Sequence, residues 1–561
     1  MTKRALLTAT CLIALLPLRL LGEPQAGPYL AARQAAIASD YAAGSAYFSK
    51  ALIADPARPF LLESAMIAQV GLGDFEAALP IAQAMVDLGL QSQLAHLVLS
   101  VTAANAEDWD AVIASLDQGR EIGPLIDGLT RAWAYVGKGQ MSAAIDSFDT
   151  LIEGAGLSAY GLYNKALALA SVGDFEGADA IFSGAPENGM RYNRRSAIAH
   201  AQILSQLGRN AEATSMIDGV FGPQSDPTLI DLRTRLVAGD MVNFNYVDTA
   251  KNGMSELYLM VAQALVGDTP DDYTLRYARA AARLDPANSD AILLSADLLE
   301  NMGQYDLASA TYSTVLRDDP AFQSAELGRA ETLRQAGKIE AAIEVLEALI
   351  RSTPNAPRVL ATAGDIYREA GDLGKAKTAY TQALNLYDDA DPLKWFIYYM
   401  RGITNHTLDA WPEAEADFRA ALALRPDQPQ VLNYLGYSMV ERGINLDEAL
   451  VMIETAVAAE PQNGAIVDSL GWVLFQLGDY AAAVGHLEDA ASLIPVDPII
   501  NDHLGDAYWA VGRFNEAQFQ WNRALSFDPT EEDAAKIRRK LEIGLDAVRA
   551  EDGVPPLAQV K

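Results

Sequence analysis

Four glycines near the C-terminus constrain this chain more than any other feature: Gly402, Gly436, Gly471 and Gly505 stand 34, 35 and 34 residues apart. Each is followed, twelve or thirteen residues on, by an alanine (Ala414, Ala449, Ala483, Ala517). Four residues later comes a large side chain (Phe418, Ile453, Leu487, Trp521), then a second alanine (Ala421, Ala456, Ala490, Ala524) and a proline (Pro426, Pro461, Pro495, Pro529). Two antiparallel helices approach closely only where neither carries bulk at the crossing, which explains the small positions. The large residue is expected to fill the space between neighbouring units, and proline, which cannot continue a helix, ends the second one. A hairpin of this size cannot bury its apolar face alone, so the pattern predicts a stacked array without a central core.

The same spacing runs backwards through Gly364, Ala330, Ala296 and Ala262, and beyond an irregular stretch through Ala201, Ala166, Ala132, Ser100, Met66 and Ala32. With one degenerate unit around Leu232 this makes roughly fifteen hairpins. Turns of the form Gly73-Asp74-Phe75, Gly173-Asp174-Phe175 and Gly478-Asp479-Tyr480 punctuate them. Glycine takes the left-handed conformation that ends one helix, and the acid starts the next. The chain thereby resembles tetratricopeptide repeat (TPR) proteins from about Gly27 to Pro529, which implies an all-α, right-handed superhelical solenoid of antiparallel hairpins.

Departures from the period suggest the domain plan. Ala201 to Ala262 spans 61 residues, too few for two full units, and the intervening stretch holds Gly222-Pro223, Asp226-Pro227 and Gly239-Asp240. The expectation is an N-terminal arm over 27–222, an irregular joint over 223–255 and a C-terminal arm over 256–529. A capping helix follows over 530–550, started by Thr530 with Asp533 three residues on and carrying the stripe Ile537, Leu541, Leu545 and Val548; 551–561 is a loose tail.

Residues 1–26 read as an export signal: Lys3 and Arg4 precede an apolar run from Ala5 to Leu18, too short to span a bilayer comfortably. No mature membrane span is expected. The single cysteine, Cys11, lies inside that leader and lacks the surroundings of a lipid-attachment site, so lipidation is not expected. These features place the chain in the periplasm or cell envelope. The formal net charge of -32 disfavours nucleic acid and anionic lipid as partners. The basic clusters Arg191, Arg194, Arg195 and Lys536, Arg538, Arg539, Lys540 read as solvated helix faces.

In such a solenoid the first helix of each hairpin lines the concave side. The register places Tyr399, His406, Asn433, Tyr437, Asp468, Trp472, Phe475, Asp502, Asp506 and Trp509 there. An acidic, aromatic groove suits a basic and apolar partner segment. The strings Asn433-Tyr434-Leu435-Gly436-Tyr437, Asp468-Ser469-Leu470-Gly471-Trp472 and Asp502-His503-Leu504-Gly505 also resemble bacterial envelope TPR proteins that act as adaptors for carboxy-terminal processing proteases. That resemblance implies a scaffold recruiting a periplasmic protease or its substrates. The alternatives are a non-enzymatic subunit of a secretion or polysaccharide-export assembly, or a membrane-tethered assembly factor if the leader is retained. The five histidines are scattered over different repeats, and no phosphate loop or nucleophile motif occurs, so neither an enzyme nor a cofactor or metal site is expected.

Overall fold

A computed structural model describes residues 26–154, 156–184, 189–222, 227–389, 391–554 and 557. The leader expected over 1–26 therefore lies outside the described residues except for Ala26, as do Pro223 to Asp226 of the expected joint and most of the expected tail. Among the described residues there are 31 helices and no strand. None is long and apolar enough to cross a membrane.

The turns form as their residues dictate. Gly73, Gly173 and Gly478 hold φ of 80°, 86° and 86°, the left-handed conformation that costs glycine least. The next residue caps the following helix: Asp74 accepts from Ala77 N at 2.8 Å, Asp174 from Gly177 N at 2.9 Å and Asp479 from Ala482 N at 3.1 Å. The small positions are equally purposeful. A Cβ on Gly402, Gly436, Gly471 or Gly505 would stand 2.7, 2.8, 2.5 or 2.4 Å from Phe418, Ile453, Leu487 or Trp521. The large residue of the code thus closes on the glycine of its own hairpin, where the sequence reading had it filling the seam between units.

The chain divides into two compact units, the first ending at Val345 and the second starting at Leu346, within helix Ile339–Ser352. The second unit is a regular run. Helices Pro357–Glu369, Lys394–Thr407, Pro429–Glu441, Gly464–Leu477 and Pro498–Ala510 are the first members of hairpins completed by Leu373–Leu386, Trp411–Leu424, Leu446–Ala459, Tyr480–Leu493 and Phe514–Leu525. Its main packing joins helices one or two apart along the chain. The capping segment is two helices, Glu531–Ile543 and Leu545–Glu551, broken at Gly544, where φ is 86° and a Cβ would meet the Trp509 ring at 2.6 Å.

The first unit is different. Hairpins built from Ala26–Ile37, Pro59–Leu72, Gln93–Asn105, Pro124–Gly137, Ser158–Ser171 and Arg194–Gln206 stack in order, followed by the lone helix Pro227–Val237. The chain then turns back. Helix Ala250–Leu265 packs on Pro124–Gly137 and Ser158–Ser171, and helix Asp271–Leu284 packs on Pro59–Leu72 and Gln93–Asn105. Those four are first helices, so the returning hairpin covers the face that an open solenoid leaves free. Met254, Leu257, Tyr258 and Leu259 are buried completely by this contact and join one core with Trp133, Leu167 and Val101. Burying four such side chains contributes on the order of 6–12 kcal/mol before entropy is subtracted.

Candidate protein-binding surfaces

The inner face of the first unit is already engaged by its own chain, and the contacts show how. Trp133, at the position after the small Ala132, is wholly buried and donates from Nε1 to Asn164 Oδ1 at 2.9 Å. Gly253 in the returning helix lies flat against its ring. Farther along, the extended segment before helix Ala250–Leu265 is held like a bound peptide. Ser205 Oγ accepts from Val242 N at 2.9 Å, Gln206 Nε2 donates to Val242 O at 2.7 Å, and Gln202 exchanges hydrogen bonds with Asn245 at 2.8 and 3.1 Å.

A buried charge network locks this arrangement. Arg195 grips Glu256 through Nε at 3.1 and 3.0 Å, also reaches Asp290, and lies over the Tyr246 ring at 5.0 Å. Tyr163 donates to Glu256 at 2.6 Å, and Arg194 binds both oxygens of Asp290 at 3.0 and 2.8 Å. Burial opposes ionisation of Asp290, but the two guanidiniums outweigh it and hold the carboxyl below its usual range. Arg194 and Arg195, which read as a solvated face from sequence, are therefore structural. Their acidic partners lie 61 to 96 residues away along the chain, beyond any local pattern.

In the second unit the structure gathers the residues picked from sequence into three clusters. Tyr399 and His406 meet across Tyr434, with ring centroids 6.1 and 5.7 Å from it; burial lowers the His406 imidazole, aided by Arg442. Trp472 stacks between Phe475 at 4.9 Å and His503 at 4.0 Å. Asp468 faces His503 Nδ1 with its two oxygens at 3.1 and 3.0 Å. Burial alone would lower that imidazole, but Asp468, with Asp502 and Asp506 behind it, raises it on balance. The third cluster joins Asp502 and Asp506 to Lys540 of the capping segment, both at 2.8 Å, while Trp521 donates to Asp506 at 2.9 Å and Trp509 donates to Asp546 at 2.9 Å. Asn433 lies outside these clusters, and Tyr437 borders the second. Asn433 Oδ1 is buried without a hydrogen-bond partner, and burial with Glu441 and Asp468 nearby raises the Tyr437 phenol.

The acids of this stripe are therefore compensated in part within the chain: Asp468 faces His503, and Asp502 and Asp506 share Lys540, with Asp502 Oδ1 buried and unpartnered. Lys540 had read as solvated. Exposed apolar surface lies instead one turn earlier, at Phe396 and Ile499, which are 37% and 50% exposed. Each sits three residues before a residue that the repeat register assigns to the groove, Tyr399 or Asp502, and thus on the same helix face; that spacing was available in the sequence. Among the described residues no group of three or more His, Cys, Asp or Glu could hold a metal ion.

Comparison with known proteins finds similarity over parts of the chain. The tetratricopeptide repeat family model matches residues 129–192, 293–357, 362–429 and 445–498. The TPR repeat-containing protein PA4667 of Pseudomonas aeruginosa is 31% identical over 132 residues, covering 24% of this chain and 22% of that protein. Cell division cycle protein 27 homolog A of Arabidopsis thaliana is 29% identical over 119 residues, covering 21% and 16%. The chain thus spans about a fifth of the length of these curated relatives. Among solved structures, the Cut9–Hcn1 heterotetramer of the APC/C is similar at 15% identity, with 93% of this chain and 96% of that chain covered and a TM-score of 0.38. Yeast Tom70 is similar at 15% identity over 82% and 96%, with a TM-score of 0.34. Over the four matched stretches, and through the hairpin code that continues between them, the chain is similar to tetratricopeptide repeat proteins, with an all-helical repeat fold suited to protein–protein interaction.

Proposed function

We propose that this chain is an exported, non-enzymatic scaffold of the bacterial cell envelope that holds a protein partner along the inner stripe of its second unit and serves as an adaptor for a periplasmic protease or its substrates. The observation that carries the reading is the contrast between the two inner faces. In the first unit Trp133, Tyr163 and Gln202 are engaged by the returning chain, although Phe60 of helix Pro59–Leu72, at the register of Phe396, stays 49% exposed; in the second, Phe396 and Ile499 are exposed and Tyr399, Tyr437, Trp472 and Trp509 are only half-buried. Aromatic side chains that keep one edge free are the usual anchors of protein interfaces. With His503 and Lys540 already facing its acids, this stripe favours an apolar segment, and its charge supplies orientation rather than the main attraction. The leader pattern of Lys3, Arg4 and Ala5 to Leu18 supports export.

Fractionation and N-terminal sequencing of the mature protein test the compartment: recovery of an intact Met1 in the cytoplasm would remove the envelope reading. Co-purification from envelope extract tests the role. An adaptor retains a protease and its substrates, and a Phe396→Glu, Ile499→Glu double variant loses them while keeping wild-type helicity. Recovery of secretion or export components in their place would favour the assembly-subunit alternative.

A further inference from the structure

The first unit contains a buried cation without a counter-ion. Arg279, in the returning helix Asp271–Leu284, is 8% exposed, and among the described residues no carboxylate lies within ion-pairing distance of it. Among the described residues, Nε is the one of its five N–H donors in use, on Gly71 O at 3.2 Å, at the C-terminal end of helix Pro59–Leu72. Nη2 is buried with no partner. The helix end offers partial negative charge, but it leaves most of the guanidinium unanswered in a chain whose net charge is -32. Burial pushes its pKa down to about 10, with the Tyr41 phenol opposing the shift.

Arg279 stands at the wall of an open cavity of about 690 Å3, whose remaining surface is largely apolar, with Leu72, Ala282, Ile292, Leu307 and Leu316 on it. The other polar groups there are occupied. Thr311 Oγ1 donates to Leu307 O and Thr314 Oγ1 to Thr311 O, both at 2.7 Å; Asp285 accepts from Ala287 N at 3.1 Å; Arg283 pairs with Glu76. A peptide laid here would find almost nothing to satisfy its backbone amides. An anion on a hydrocarbon body would meet the guanidinium at one end and methyl groups elsewhere.

We infer that this cavity is a binding site for an amphiphilic monocarboxylate, its head on Arg279 and its alkyl chain along Leu72, Ile292 and Leu307. The test is isothermal titration of the full chain with decanoate and with decan-1-ol. Decanoate binds more tightly than the alcohol by about tenfold or more, and Arg279→Met brings the acid down to the alcohol's level. Ala310→Trp, which adds bulk at an exposed position of the cavity lining, removes binding of both, so the inference stays decidable if the arginine variant misfolds. Equal affinity for acid and alcohol, unchanged binding in either variant, or binding of a short polyglutamate peptide with none of decanoate would overturn it.

Discussion

Replacing Gly253 by alanine probes the feature that sets the first unit apart. The substitution would ordinarily help, because glycine inside a helix costs about 1 kcal/mol relative to alanine. Here the new Cβ would stand 2.4 Å from three carbons of the Trp133 ring. That ring cannot yield: it is wholly buried, tied to Asn164 by its N–H and packed edge-on against Phe148 at 6.0 Å. Overpacking a rigid site costs about 3 kcal/mol at the upper end of its usual range, so the net effect is a destabilisation of about 2 kcal/mol. Gly219, in helix Asn210–Phe221 of the same unit, has nothing within 4 Å of its Cβ position, and Gly219→Ala should instead stabilise by about 0.5–1 kcal/mol. Urea titrations followed by tryptophan fluorescence read both variants against wild type. If Gly253→Ala were as stable as wild type, or gained stability as Gly219→Ala does, the returning helix would not be seated on Trp133.

Three further outcomes follow from the charge clusters. Lys540→Met strands Asp502 and Asp506, and breaking a buried pair in this way should cost about 3–5 kcal/mol in urea unfolding of the second unit. Arg195→Met strands Glu256, itself 3% exposed, and should cost the first unit a similar amount, seen as rapid proteolysis after Val237. Because the folded-state pKa of His503 is raised, its pairing with Asp468 stabilises fully below the unfolded value near 6.5 and the contribution is lost as pH rises through the folded value. The unfolding midpoint of the second unit should therefore fall above about pH 6.5, and His503→Gln should flatten that slope; a slope unchanged in the variant would assign it to other groups.

Much of the fold was legible because TPR packing is local. Gly471 and Leu487 are sixteen residues apart in one hairpin, and Asp479 caps the helix it begins, so short-range spacing carries the information. The return of residues 250–284 was not legible. Ala262 keeps the small-position register, and the change lies in what the neighbouring residues touch: Glu256 meets Tyr163, 93 residues earlier, and Arg279 meets Gly71, 208 residues earlier. The same holds at the candidate site. Register alone put Asp468, Asp502 and Asp506 on the inner stripe, but it could not show that His503 and Lys540 from later helices reach back to meet them. Phe396 and Ile499 lie six residues before the small Gly402 and Gly505, one turn beyond the positions that the repeat register assigns to the groove.

Hydroxyl-radical footprinting of the full chain, alone and with the partner recovered from envelope extract, tests the account most directly. In the free chain Trp133 and Tyr258 should resist oxidation while Phe396 and Trp472 react, and the partner should protect Phe396, Trp472 and Trp509 without altering the first unit. Ready oxidation of Trp133 in the free chain, or protection by the partner confined to residues before Val345, would contradict it.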